Sequence, residues 1–230
     1  MRRWVLEEAQ RVLALFMALI ALALGFLTFR LVWTSSASVP LPTPTPLARI
    51  GLVAGHWGYD SGAVCPDGLQ EAEINLAIAR KVKALLERHG YHVDLMKEFD
   101  EAMNGYRGDV FVSLHSDSCD VQGFTGFKVA RVENSAIPEE EDRLVKCLYD
   151  EYEATTKLPR HEDTITEHMR RYHAFRKIAP ETPGAIIEMG FMSDDRFFLL
   201  YRQDVAAWGI AKGIICFLGN GERSVNESKV

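Results

Sequence analysis

The 230-residue chain has only four cysteines, Cys65, Cys119, Cys147 and Cys216, and no two of them stand in a CxxC pair. That excludes the paired spacing of a structural zinc ribbon or finger. Positive charge is also scarce, with 26 Lys and Arg against 32 Asp and Glu. Without a basic excess to meet phosphates, a nucleic-acid partner is not expected. No segment repeats at a fixed period, which removes solenoids and propellers. Proline is sparse outside one segment: four of the nine prolines fall in "VPLPTPTPLA", Val39 to Ala48.

Apolar residues are plentiful, and one block of them stands apart. Val12 to Phe29 is an uncharged run of 18 residues, and continuing past Arg30 to Trp33 gives 22 positions. At about 1.5 Å per residue this is roughly 30 Å, a bilayer core. Arg2, Arg3 and Arg11 precede it, so the positive-inside bias leaves the N-terminus in the cytoplasm and the remainder outside. The expectation is a single-pass signal anchor over residues 12–33, with 1–11 cytoplasmic. A cleaved signal peptide is the alternative, because "SSAS", Ser35 to Ser38, offers small residues for cleavage, but the apolar run exceeds an ordinary signal-peptide core.

The proline segment lies in an extended linker, 34–48, since proline fixes φ and lacks an N–H. A globular domain is expected over 49–218, followed by a polar tail, 219–230. Setting aside the four arginines and two glutamates of the first 33 residues leaves 22 basic against 30 acidic groups, a net charge of −8.

Within the domain, "RIGLVAG", Arg49 to Gly55, is a short apolar run closed by glycine and predicts a buried strand. Ile74, Ile78, Val82 and Leu85 recur at helical spacing within residues 70–89, and Gly90 suits a left-handed C′ position. "YHVDLM", Tyr91 to Met96, and "DVFVSLH", Asp109 to His115, predict two more strands, completing a βαβ unit. Further strands are expected at Gly126–Val132 and Gly184–Gly190, with helices at Pro138–Thr155, Asp194–Tyr201 and Asp204–Leu218. The fold class is α/β, a central, mostly parallel sheet flanked by helices in one domain.

Four chemically capable residues sit at element ends. His56 follows the first strand, Glu71 opens the first helix, His115 ends the third strand, and Glu188 lies near the end of "GAIIEMG". Open α/β sheets form their ligand sites at the carboxyl ends of strands, so these four can converge. Two imidazoles and a carboxylate suit a zinc ion with one position left for water, and Glu188 could then take a proton from that water. Taken singly, each has a plainer reading. His56 could be a loop histidine bonded to backbone, and Glu71 a first-turn carboxylate facing the helix dipole. Glu188 resists such a reading, because a carboxylate inside "AIIEMGFM" is costly to bury without a task. Of the other histidines, His89, His92, His161 and His168 read as surface or packing residues, and His173 as an outer-shell candidate near Glu188.

Four stretches in this order, "GHWGYDSGA", "GLQEAEINLAIARKVKALLE", "DVFVSLHSD" and "PGAIIEMGFMSD", resemble the zinc-dependent N-acetylmuramoyl-L-alanine amidases of type 3, over about Ile50 to Phe217. The resemblance implies Zn²⁺ held by His56, Glu71 and His115, with Glu71 preferred to Glu73 by its spacing to "NLA". It also implies Glu188 of "EMGF" as the catalytic base. The reaction implied is hydrolysis of the amide between N-acetylmuramic acid and L-alanine in peptidoglycan; together with the apolar run over 12–33, this gives the expectation of an enzyme anchored in the cell membrane with its domain in the envelope.

Two stretches depart from the family pattern. "KEFDEAMNGYRG", Lys97 to Gly108, replaces a longer segment with a threonine–arginine pair, and "SLHSDSC" replaces the usual continuation after the third-strand histidine. The second change brings Cys119 near Cys65 if the two loops meet, where a disulfide and a free buried thiol both fit. Cys147 and Cys216 read as small buried residues on helices. The alternatives to the amidase are a related zinc peptidase and a wall-binding or regulatory module whose activity is lost or depends on a protein activator. The acidic segment Pro138 to Ala154 reads as a solvated surface helix, with a regulatory insertion as the rival.

Overall fold

A computed structural model describes residues 13, 15–26 and 48–227, the last eight of these by their backbone. The chain divides into two units, Met1–Thr45 and Pro46–Val230. In the first unit, 13 and 15–26 are helical. The rest of the expected span over 12–33 and the linker up to 47 lie outside the described residues. Among the described residues no helix is long and apolar enough to cross a membrane.

In the second unit, five strands form one sheet: β1 (Arg49–Ala54), β2 (His92–Met96), β3 (Val110–Asp117), β4 (Lys128–Ala130) and β5 (Gly184–Phe191). Their spatial order is β2-β1-β3-β5-β4. The pairs β1–β2, β1–β3 and β3–β5 are parallel, and β4 lies antiparallel on β5. β1, β3 and β5 are buried almost throughout, as interior strands covered on both faces must be. Their near-continuous apolar runs follow from that position.

Helix α1 (Glu71–Arg88) links β1 to β2 and stops where Gly90 adopts a φ of 90°. The glycine takes a left-handed turn that a side chain would resist. Helix α2 (Pro138–Thr156) starts on a proline at its first turn, and the short α3 (Glu167–Arg170) follows. After β5 come α4 (Arg196–Tyr201) and α5 (Gln203–Glu227), which continues past Leu218.

Alternation along the strands sorts the core into two faces. Ile50, Leu52, Val112, Leu114, Ala185 and Ile187 face the layer built by α1, α2 and α5. Val53, Phe111 and Ile186 face the opposite side, covered by the connecting segments that carry Met103, Tyr106, Met169, Tyr172 and Ile178. The acidic helix α2 is therefore a core helix: Leu144, Leu148 and Tyr152 are fully buried, and only its far face is solvated.

Three details depart from expectation. β4 is three residues long rather than seven, because Phe127 bridges to Arg160 and the N–H of Gly126 donates to Asp195, drawing the chain out of the sheet early. The region 157–183, with no element expected, holds α3 and two single-turn helices at Glu162–Thr164 and His173–Arg176. Cys147 and Cys216 lie on helices as expected, but they are disulfide-bonded, with Cα atoms 5.8 Å apart, and so join α2 to α5.

Candidate metal centre

The βαβ topology brings the ends of β1, β3 and β5 to one edge of the sheet, and α1 starts there. β1 ends at Ala54 and the chain turns through Gly55 and His56, whose φ of 66° is left-handed and unusual for a side-chain-bearing residue. A Cβ on Gly55 would stand 2.3 Å from Cε1 of His115, so only glycine lets β1 pass this ring. Gly62, with φ of 62°, plays the same part lower in the loop, where a Cβ would stand 2.6 Å from Oε2 of Glu71.

These turns place three side chains together. His56 Nε2 is 3.2 Å from Glu71 Oε2, and His115 Nδ1 is 3.2 Å from Glu71 Oε1. One donor atom from each of His56, Glu71 and His115 lies within 4.8 Å of the others. Glu71 and His115 are buried and His56 is half-buried. The rival carboxylate, Glu73, is exposed and is not part of this cluster.

Hydrogen bonds fix each member. Nδ1 of His56 meets Asp60 Oδ1 at 2.6 Å. Asn75 Nδ2 donates to Glu71 Oε1 at 3.0 Å and to the Gly55 carbonyl at 3.2 Å. The backbone N–H groups of Ala63 and Ser116 donate to the two Glu71 oxygens at 3.1 and 3.2 Å. Cys65 and Cys119 are disulfide-bonded with Cα atoms 5.4 Å apart, tying the loop that leads into Glu71 to the loop that leaves His115.

The electrostatics are those of a carboxylate sharing charge with two rings. Burial opposes charge on Glu71, but hydrogen bonds from His115 and His56 hold its carboxyl far below the usual range. Burial likewise opposes charge on His56, yet Glu71, Asp60 and Glu98 carry it up to about 9. His115 is also raised, against burial, by Glu71, Glu188 and Glu98. Protons thus gather where a divalent cation would displace them. The donor set of two imidazole nitrogens and one carboxylate oxygen fits zinc.

Glu188 lies beside this cluster by backbone register, opposite His115 on the neighbouring strand. It is half-buried, and its Oε2 is buried without a hydrogen-bond partner. Burial pushes its pKa up to about 7, with Glu71 and Asp117 adding to the shift and His115 and Lys128 opposing it. A carboxyl poised near neutrality can both take and return a proton.

Four further residues belong to the site and carry no local mark in the sequence. Asp60 and Asn75 orient ligand candidates, as described. Lys128 is paired with Glu188 across β4 and β5, is buried, and donates to the Thr164 carbonyl at 2.9 Å while contacting Asp117. Glu98, just after β2, is 5% exposed; it accepts the backbone N–H of His56 at 2.7 Å and stands 3.8 Å from Nε2 of His115. His173, the outer-group candidate, meets Glu98 at 2.7 Å rather than Glu188.

Residues 50–217 match the family described as N-acetylmuramoyl-L-alanine amidase, type 3. The chain is 28% identical over 204 residues to the germination-specific N-acetylmuramoyl-L-alanine amidase of Bacillus subtilis, covering 76% of this chain and 82% of that protein. It is 41% identical over 78 residues to the amidase AmiC of Neisseria meningitidis, covering 30% of this chain and 19% of that protein. Against the first curated relatives that it matches, the chain spans between 19% and 28% of their length. The solved structure of the CwlD amidase of Clostridioides difficile, in complex with the GerS lipoprotein, superimposes with a TM-score of 0.62 at 24% identity, over 75% of this chain and 98% of that one.

Proposed function

The chain belongs to the type 3 N-acetylmuramoyl-L-alanine amidase family, and from that membership we propose that it hydrolyses the amide between N-acetylmuramic acid and the L-alanine of the peptidoglycan stem. The observation that carries the reading is the register pairing of His115 with Glu188, which puts a carboxyl of neutral pKa beside a three-donor cluster.

His56, Glu71 and His115 would hold zinc, which when bound polarises the scissile carbonyl and makes a water acidic enough to ionise near neutral pH. Glu188 takes the proton of that water on its unpartnered Oε2. The same oxygen then gives the proton to the alanine nitrogen as it leaves. Lys128, on the far side of Glu188 from His115, favours the ionised form and keeps the carboxyl available as a base at neutral pH. Asp60 and Asn75 hold the His56 ring and the Glu71 carboxylate in place, so little reordering precedes the reaction.

The apolar run over 12–33 supports an anchor in the cell membrane, with the domain 49–218 outside the cytoplasm. The two disulfides agree with an oxidising compartment. The two departing loops support a specificity, or a requirement for a protein activator, particular to this chain. Incubating the zinc-loaded chain with purified peptidoglycan and weighing the products tests the proposal. Free stem peptides beginning at L-alanine are expected. Glycan strands cut elsewhere would overturn the reaction assigned, and intact wall would favour the binding or partner-dependent module.

A further inference from the structure

Glu98 has no part in the chemistry above, yet it is among the most completely buried charged groups of the domain. A carboxylate is not hidden without partners that repay its lost hydration; besides Tyr172, which also hydrogen-bonds it, its partners lead to the metal centre. Oε2 accepts the backbone N–H of His56 at 2.7 Å and stands 3.8 Å from Nε2 of His115. Oε1 meets Nε2 of His173 at 2.7 Å. The His173 ring is itself clamped, stacked on Phe99 with centroids 4.1 Å apart and packed against Tyr172 at 4.5 Å.

Nδ1 is the nitrogen of His115 that faces Glu71. A neutral imidazole that binds through Nδ1 must carry its proton on Nε2, and that Nε2 is buried with no hydrogen-bond partner. Glu98 Oε2 faces it at 3.8 Å, about 1 Å beyond hydrogen-bond length. Histidine ligands ordinarily donate their second ring N–H to a carboxylate or carbonyl, which fixes tautomer and orientation.

We propose that Glu98, braced by His173, is the positioning carboxylate of the metal centre: its Oε2 receives the Nε2–H of His115 and at the same time holds the left-handed backbone of His56. One oxygen thereby sets two of the three ligands. The pair also gives a role to "KEFDE", the stretch in which this chain departs from its family.

This inference rests on the metal-site reading, and the experiment separates the two. Zinc affinity of the full chain is measured by competition with a chromophoric chelator, together with the rise in melting temperature on adding zinc. Glu98→Gln, which keeps the shape and an acceptor for His56, should weaken zinc binding about 10- to 100-fold. His173→Leu should weaken it less, and His173→Gln, which retains a donor toward Glu98, should recover most of the loss. In each weakened variant the zinc-induced rise in melting temperature should shrink in step. With cobalt in place of zinc, the visible bands should shift in Glu98→Gln without the several-fold intensity change that marks an altered coordination number.

Wild-type protein that binds no zinc would overturn both readings. Wild-type binding with unchanged affinity in Glu98→Gln and His173→Leu would overturn the positioning role alone. A large change in cobalt intensity would make Glu98 a direct ligand and overturn it as well. Should Glu98→Gln fail to fold, the contrast between His173→Leu and His173→Gln still decides.

Discussion

His115 and Glu188 are register partners on the adjacent strands β3 and β5, their side chains directed to the same face of the sheet. The spacing between a ligand candidate and the proposed base is therefore set by backbone hydrogen bonds rather than by loops. That face is the one opposite α1, α2 and α5.

Glu188→Gln should abolish most turnover while sparing the metal. The amide cannot accept the water's proton, so kcat should fall about a hundredfold to ten-thousandfold. Zinc affinity should stay within a few-fold of wild type, measured by chelator competition on the same preparation. Retained activity would remove Glu188 as the base.

The raised pKa of Glu188 also predicts a pH-dependent stability in the metal-free chain. A carboxyl whose folded value, about 7, lies above its ordinary 4.5 stabilises the fold below the ordinary value, and that stability is lost as pH rises through the folded one. Glu188→Gln removes this dependence. Its melting temperature should exceed that of wild type by several degrees at pH 8, with the gap narrowing at pH 5, as read by thermal denaturation in chelator.

Glu98 should act with the opposite sign. Burial pushes its carboxyl up, but hydrogen bonding to His173, the nearby His115 and the His56 N–H outweigh this and bring it to about 2. Its contribution is present above the ordinary carboxylate value and lost as pH falls toward 2. Acid titration of wild type and Glu98→Gln should show the variant losing less stability between pH 5 and 3.

Gly62→Ala tests how closely the loop must pass Glu71. The new Cβ would stand 2.6 Å from Oε2 of Glu71 on a backbone of positive φ, so both strain and contact oppose it. Destabilisation of about 1–3 kcal/mol is expected, along with a loss of zinc affinity. Gly219→Ala, on exposed helix with open space around it, should be neutral or stabilising.

The two disulfides should separate cleanly. Each closes a long loop, 54 and 69 residues, for which chain entropy gives about 4 kcal/mol. Replacing Cys147 and Cys216 by alanine should lower the melting temperature and leave zinc affinity unchanged. Replacing Cys65 and Cys119 should lower both, because that bridge joins the loop before Glu71 to the loop after His115.

Sequence and structure agree where the signal is local. The apolar runs of β1, β3 and β5, the 3.6-residue period of α1 and the glycine at 90 all mark elements from neighbouring residues alone. The four candidate site residues were legible for a related reason: each stands at the end of such an element, and topology carries those ends together. Glu98 was not, since a charge after β2 looks solvated until His173, 75 residues on, folds over it. The pairing of Cys147 with Cys216 depends on how α2 and α5 are rotated against each other, which no local pattern records. β4 was overestimated because Asp195, 69 residues beyond Gly126, claims the N–H that would have extended it.

Reaction and recognition occupy separable parts of this domain. The spacing between His115 and Glu188 is written into two neighbouring strands, whereas connections such as Lys97 to Gly108, which carries Glu98, reach the same candidate site from outside the sheet. Under the proposed amidase reading, those connections could be lengthened, shortened or rewritten to change which substrate is admitted, while the pairing of His115 with Glu188 keeps its geometry.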